Sequence, residues 1–297
     1  MAQNYHFLPP ETLDALSNIE MVSKYLVEGS IMGLHRSPYR GFSAEFAEYR
    51  KYCPGDSVKH VDWFAYAKTD RYYVKQFENE TNLNSYIILD VSNSMSMPGT
   101  KNHKFNYACY MAAAFMYLMQ RQRDAVGLFT YNDIVREYYP PRNSRKHMLN
   151  LLSVLEGISP SGRTDAGKCF HDIAEQISKR SLVIIFSDFF DIDAEFVKSL
   201  EHFRYKKAEV ILFQVLDDLE LTLPYNGFIE FEDMETGERV EVESEFSRDA
   251  YVKDLMDYIG GVKAACEKMN IMFETINTAT PFEKSLLAYF AKREELF

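Results

Sequence analysis

The sequence has 297 residues, 46% of them apolar, and a formal net charge of −11 at pH 7. This length suits one large domain or two modest ones, and the acidic balance argues against a nucleic-acid partner. No signal peptide is evident, and no apolar run approaches the ~20 residues of a membrane span. The sequence has four cysteines and no CxxC pair, which indicates buried thiols in a reducing compartment. They are Cys53, Cys109, Cys169 and Cys266. We therefore expect a cytoplasmic protein.

Residues 1–80 are predicted to form a segment that packs on the following domain. Glu11–Val27 has apolar residues at helical spacing, and Val58–Ala67 suits a short helix. Alternation over Arg71–Glu78 predicts a strand. Residues 33–80 are rich in aromatic and charged residues but poor in aliphatic ones. They are either a binding surface or a structural wrap whose charges pair with one another.

Residues 81–297 alternate between strand and helix patterns. Strands are predicted at Tyr86–Leu89, Ala125–Tyr131, Ile134–Tyr139, Leu182–Phe186, Glu209–Leu216 and Ile271–Thr275. Helices are predicted at Asn102–Gln122, Arg145–Gly157, Asp165–Ile177, Ala194–Tyr205, Phe246–Lys268 and Phe282–Arg293. An inserted β-hairpin at about 221–243 interrupts this alternation of strands and helices. Its two strands are predicted at Phe228–Glu232 and Arg239–Val242. The alternation predicts an α/β fold with a doubly wound, mostly parallel sheet flanked by helices.

The first predicted strand of this domain ends in a cluster of oxygen-bearing residues. Asp90, Ser92 and Ser94 form a D-x-S-x-S loop directly after the buried run Tyr86–Leu89. Open α/β sheets place ligand sites at the carboxyl ends of their strands. Three oxygens at alternate positions suit a hard cation such as Mg²⁺, Mn²⁺ or Ca²⁺. The same short pattern also suits a helix-capping turn.

Two later residues extend this cluster. Thr164 lies in a loop between helices, and Asp188 follows the strand Leu182–Phe186. In a doubly wound sheet both reach the end of the first strand, so five side chains would supply oxygens to one metal site. Asp165 is either an acid that supports the metal ligands from behind or an N-terminal residue of the next helix, and we favour the helix role.

The complete set of five residues resembles the metal-ion-dependent adhesion site of von Willebrand factor A domains. The order and spacing match that fold from Asn82 to the C-terminus, with no substitution at the five positions. The resemblance implies that Ser92, Ser94 and Thr164 ligate the metal directly, while Asp90 and Asp188 often act through water. It also implies that a Glu or Asp of a partner protein completes the coordination.

Two segments in the N-terminal part of the sequence add a second, more specific resemblance. They read RGFSAEFAEYRKYCPGDSVKHVDW and, shortly before DVSNSM, YVKQFENE. Both are similar to a bacterial family of unknown function, domain of unknown function fifty-eight. The hairpin tip Glu235–Glu238 and the helix containing Cys266 are similar to that family too. Many members carry two N-terminal membrane helices, which this sequence lacks. The resemblance implies a MoxR-type AAA+ ATPase as partner.

Three functions are compatible with these features. The favoured one is a metal-dependent protein–protein interaction module, acting as adaptor or accessory protein to the ATPase and without enzymatic activity. The second is a metal-assisted phosphatase or hydrolase using Asp90. Enzymes that transfer a phosphoryl group through an aspartate usually have a second acidic residue two positions later. Ser92 occupies that position here, which argues against this alternative. The third is a scaffold whose site stays empty.

Overall fold

A computed structural model describes residues 44–52, 62, 63, 66, 68, 71–79, 83–97, 99, 103–190, 192 and 194–296. Residues 83–297 belong to one compact unit, and residues 35–82 form another. The predicted helix at 11–27 lies outside the described residues, as does most of the predicted helix at 58–67. The packing of residues 1–80 on the main domain stays a prediction.

The smaller unit contains a two-stranded antiparallel sheet. Strand β1 (Ala44–Lys51) pairs with β2 (Tyr73–Asn79), with Ala44 opposite Asn79 and Lys51 opposite Tyr73. The structure therefore confirms the strand predicted at Arg71–Glu78 and adds β1, which was not predicted. The rings of Tyr66 and Tyr72 stack with centroids 4.4 Å apart. Part of the aromatic content of this region is thus used in ring–ring packing.

Six strands of the larger unit form one sheet among the described residues. They are β3 (Asn84–Asp90), β4 (Ala125–Tyr131), β5 (Val135–Arg142), β6 (Leu182–Ser187), β7 (Glu209–Leu216) and β10 (Met272–Asn277). Their order is β10-β7-β6-β3-β4-β5, and only β5 pairs antiparallel. The chain builds outwards from β3 in both directions, so the topological switch lies between β3 and β6. This confirms the predicted doubly wound, mostly parallel sheet.

Helices cover both faces of this sheet. Their bounds are α1 (Lys104–Arg121), α2 (Arg145–Gly157), α3 (Ala166–Gln176), α4 (Ala194–Tyr205), α5 (Asp218–Thr222), α6 (Ser244–Lys268) and α7 (Phe282–Leu296). Helices α1, α2 and α7 share one buried cluster with Ile87 and Leu89. Helices α3, α4 and α6 share another with Tyr86 and Ile88. Because successive strand residues point to opposite faces, the buried run of β3 serves both cores.

The structure extends or adds several elements relative to the sequence prediction. Strand β5 continues to Arg142 through Pro140 and Pro141, which its edge position permits because an edge strand needs fewer N–H donors. The inserted hairpin is present as β8 (Phe228–Glu232) and β9 (Arg239–Glu243), a separate two-stranded sheet. The short helix α5 before it was not predicted.

Candidate metal centre

Asp90 is the last residue of β3 and is fully buried. One carboxylate oxygen accepts a hydrogen bond from the Ser92 backbone N–H at 2.9 Å. The other accepts one from the Ser187 hydroxyl at 2.6 Å. Burial raises the pKa of Asp90 to about 7, with a further contribution from Asp188, while the hydrogen bonds oppose the shift. A neighbouring positive charge would stabilise the ionised form of this buried carboxylate.

The hydroxyls of Ser92 and Ser94 contact each other in the loop that follows Asp90. Their Oγ atoms lie 2.9 Å apart, and Ser92 is buried. Ser92 precedes the 3-10 turn Asn93–Ser96, but its side chain makes no capping hydrogen bond. The two hydroxyls therefore pair with each other, which is not the arrangement expected from the capping interpretation of this loop.

The loop that carries Thr164 is joined to the Asp90 loop by backbone hydrogen bonds. Ser161 N donates to Val91 O at 2.7 Å, and Asn93 N donates to Gly162 O at 3.0 Å. Gly162 has φ +83° because the chain turns sharply here, and an added Cβ would lie 2.8 Å from the Asn132 side-chain nitrogen. The structure thus brings the Thr164 loop beside the D-x-S-x-S loop. The Thr164 hydroxyl donates to the hairpin carboxylate of Glu235 at 2.8 Å.

Asp188 directly follows β6, the strand next to β3, and is buried. It lies close enough to Asp90 to raise the pKa of that carboxyl. Its own carboxylate binds the ammonium of Lys104, with Nζ 2.9 Å from Oδ2. Lys104 also contacts Glu220 of α5 at 2.8 Å. Although burial lowers the pKa of a lysine, these two carboxylates hold the Lys104 pKa above its ordinary value.

The Tyr131 hydroxyl is a buried polar group beside this cluster without a hydrogen bond of normal geometry. Burial raises its pKa well above the usual value, and the nearby Asp90 and Asp188 contribute. The Ser187 side chain lies close enough to oppose this rise in pKa in part, although its own hydroxyl donates to Asp90. A buried hydroxyl without a full hydrogen bond generally finds a water molecule or another polar group.

The charges of the cluster suit a divalent cation. Asp90, Asp188 and Glu220 supply three carboxylates against the single ammonium of Lys104, which leaves an excess of two negative charges when all are ionised. Within the described ranges, no group of three or more His, Cys, Asp or Glu side chains is arranged to hold a metal. The candidate donors instead combine two aspartates with three hydroxyls, a set suited to a hard cation.

Several residues of this region were not identified from the sequence. Lys104 and Glu220 form the buried ion pairs, and Glu235 binds Thr164. Asn132 is fully buried and donates to Ser161 O at 2.8 Å, which supports the Thr164 loop. Asp165 caps α3 by accepting from Lys168 N, as predicted.

The strand order and the two helical layers define an open α/β domain with a doubly wound, mostly parallel sheet, and the loop cluster lies at its topological switch. Within the described ranges, every helix is too short or too polar to cross a bilayer.

A family described as "Protein of unknown function DUF58" matches residues 48–257, more than half of the chain. The protein therefore belongs to this family. The uncharacterized protein Rv1480 of Mycobacterium tuberculosis strain H37Rv is 27% identical over 248 residues, covering 82% of this chain and 76% of that protein. The uncharacterized protein Mb1516 of Mycobacterium bovis gives the same values.

Three solved structures are similar at low identity. BatB from Bacteroides thetaiotaomicron gives a TM-score of 0.47 at 13% identity, covering 71% of this chain and 99% of that chain. An aerotolerance-related membrane protein from Bacteroides fragilis gives 0.48 at 16%, with the same coverage. The SpRpn10 VWA domain gives 0.40 at 11%, covering 70% and 95%. The fold is assigned from the strand order of this protein alone.

Proposed function

We propose that this protein is a metal-dependent protein–protein interaction module. Asp90, Ser92, Ser94, Thr164 and Asp188 would hold one Mg²⁺, with Mn²⁺ and Ca²⁺ as alternatives. An acidic side chain of a partner protein would complete the coordination. The bound ion would supply a fixed positive charge that attracts and orients this carboxylate.

The pairing of the Ser92 and Ser94 hydroxyls, in the loop that directly follows buried Asp90, is the observation that carries this proposal. The hydroxyls are 2.9 Å apart and are not engaged in capping a helix. Neighbouring ligands of an octahedral Mg²⁺ with Mg–O distances of about 2.1 Å are about 3.0 Å apart. The two oxygens therefore have the spacing of adjacent ligands without rearrangement. Asp90 orients the loop by accepting from Ser92 N.

The protein's own residues would each have a distinct task. Asp90 and Asp188 supply negative charge from buried positions, while Ser92, Ser94 and Thr164 supply neutral oxygens. Lys104 neutralises part of that charge through Asp188 and so limits the repulsion between the two aspartates. A binding ion would compete with Lys104 for Asp188. This competition would make metal affinity depend on Lys104 as well as on the ligands.

The partner we propose is a MoxR-type AAA+ ATPase, with this protein as a cytoplasmic adaptor or accessory subunit. The support is the sequence resemblance of residues 40–63 and 73–80 to a family whose members accompany such ATPases. Affinity capture with the tagged protein, with and without chelator, followed by mass spectrometry, tests this assignment. The ATPase is expected in the metal-containing eluate and not in the chelated one.

Titration calorimetry with Mg²⁺ or Mn²⁺ tests the metal site. The intact protein should bind one ion, Asp90→Ala should not bind it, and Asp249→Ala on the exposed surface of α6 should bind like the parent. Equal binding in the Asp90→Ala variant would reject the site. Hydrolysis of a generic phosphate ester with Mg²⁺, lost in Asp90→Ala, would favour the hydrolase alternative.

A further inference from the structure

The tip of the β8–β9 hairpin lies against both loops of the candidate metal centre. The Glu235 carboxylate accepts two hydrogen bonds from Thr164, one from the backbone N–H and one from the hydroxyl, each at 2.8 Å. The Glu235 carbonyl accepts from Arg163 Nε at 3.3 Å. The Met234 carbonyl accepts from the Asn93 side chain at 3.2 Å. The tip therefore contacts the D-x-S-x-S loop and the Thr164 loop together.

The turn of the hairpin is built to present Glu235 to this site. The Asp233 carboxylate accepts from the backbone N–H groups of Glu235 and Thr236 at 2.8 and 2.6 Å. Gly237 has φ +74°, a conformation that favours glycine, and its N–H donates to the Asp233 carbonyl. Within residues 233–238, Glu235 is the one residue that is not exposed. The turn thus directs this carboxylate inwards.

The spacing at Thr164 repeats the spacing at the two serines. The Thr164 hydroxyl and the nearer Glu235 oxygen are 2.8 Å apart, and the Ser92 and Ser94 hydroxyls are 2.9 Å apart. Adjacent oxygens around an octahedral Mg²⁺ are about 3.0 Å apart. A cation that contacts the Thr164 hydroxyl therefore lies within coordinating range of the Glu235 carboxylate after only a small shift.

We propose that Glu235 is itself a ligand of the metal, supplied by this chain at the position that a partner's acid would take. This inference rests on the proposed metal site. The hairpin would then act as a built-in competitor, and an acidic partner would bind by displacing its tip. The negative charge of Glu235 would also strengthen metal binding in the closed arrangement.

The hairpin is suited to such a displacement because little of it is buried. None of residues 228–243 is buried, and Phe228 and Val240 are 72% and 59% exposed. A two-stranded hairpin without a buried face is marginally stable by itself. The contacts of its tip with Thr164, Arg163 and Asn93 therefore form a large part of what fixes its position.

The test compares Glu235→Ala with Glu238→Ala, which removes an exposed acid in the same turn. Mn²⁺ affinity is measured by titration calorimetry, and the number of water molecules on bound Mn²⁺ by water-proton relaxation. Glu235→Ala should bind Mn²⁺ about tenfold more weakly and carry one more water molecule, because alanine has no oxygen to replace the carboxylate. Added acetate should then displace that water in Glu235→Ala at lower concentration than in the parent. Glu238→Ala should match the parent in every measurement.

The outcomes separate this inference from the proposed function. Mn²⁺ binding that Asp90→Ala abolishes but Glu235→Ala leaves unchanged would retain the metal site and reject Glu235 as a ligand. Weaker binding with an unchanged number of water molecules would show that Glu235 only supports Thr164, and would also reject the direct ligand role. Absence of Mn²⁺ binding in the parent protein would reject both proposals together.

Discussion

Two buried aspartates lie at opposite ends of the same sheet and differ in what surrounds them. Asp90 ends β3, and Asp124 precedes the parallel neighbour β4. Burial raises the pKa of each to about 7. Asp124 accepts a hydrogen bond from the Leu83 N–H at 3.3 Å, and the cavity beside it is lined largely by apolar residues.

The surroundings of Asp90 are polar and convergent. The Ser92 N–H and the Ser187 hydroxyl hydrogen-bond to it, and Asp188 with its Lys104 partner lies next to it. A raised aspartate pKa is therefore found at both ends of the sheet and does not by itself indicate a ligand site. What distinguishes the Asp90 end is the set of polar and charged side chains beside the carboxylate, which includes Ser187 and Asp188.

The largest effect is expected from Lys104→Met. The substitution leaves Asp188 and Glu220 buried without their cation, which should lower the free energy of unfolding by about 3–5 kcal/mol without metal. Mg²⁺ should recover part of that loss and bind more tightly than to the parent, because the ion no longer competes with the ammonium. Chemical denaturation with and without Mg²⁺ measures both effects.

Lys168→Met is the matched control, since Lys168 is an exposed residue of α3. It should change stability by less than about 0.5 kcal/mol. If Lys104→Met were equally mild and insensitive to Mg²⁺, the ion pairs would not organise the Asp90 end of the sheet.

A smaller, pH-dependent effect is expected from Asp124→Asn. The folded-state pKa of about 7 exceeds the ordinary value of 3.8, so the folded protein binds this proton more tightly than the unfolded protein. Its contribution to stability is complete at low pH and is lost as the pH rises through about 7. Asn keeps an oxygen for the Leu83 N–H and carries no charge. At pH 8 the variant should therefore be more stable than the parent by about 1 kcal/mol, which is about 2–4 °C in Tm.

Thermal unfolding at pH 5 and pH 8 measures this difference, with Asp249→Asn as an exposed control. The gain should shrink at pH 5, and Mg²⁺ affinity should equal that of the parent. A gain of the same size at both pH values would show that Asp124 does not titrate near neutrality. A loss of Mg²⁺ binding would contradict the separation of the two ends.

Much of the fold was predictable because its strands and helices differ in hydrophobic period. The run Leu182–Phe186 has no polar residue, and it is found inside β6. Strand β1 was missed because Glu45, Glu48 and Arg50 interrupt its apolar pattern, which resembles a charged loop. The short helix α5 was missed since five residues show no periodicity.

Four of the candidate donors could be selected from the sequence because they lie at or just after strand ends, whereas the residues that support them could not. The four are Asp90, Ser92, Ser94 and Asp188. Lysine is rarely buried, so composition alone assigns Lys104 to the surface. Its position shares a helical face with Tyr107, Ala108 and Met111, which are all buried, and this periodicity was an available signal. The contact of Glu235 with Thr164 joins residues 71 apart in sequence, and no local pattern predicts it.

The most direct test is a crystal structure of the protein grown with Mn²⁺, with anomalous scattering used to locate the ion. If these side chains hold an ion, one peak is expected about 2.2 Å from the Ser92 and Ser94 hydroxyl oxygens, with Thr164 among the ligands. A well-ordered site without any anomalous peak at saturating Mn²⁺, and with Lys104 still bound to Asp188, would contradict the proposed metal site.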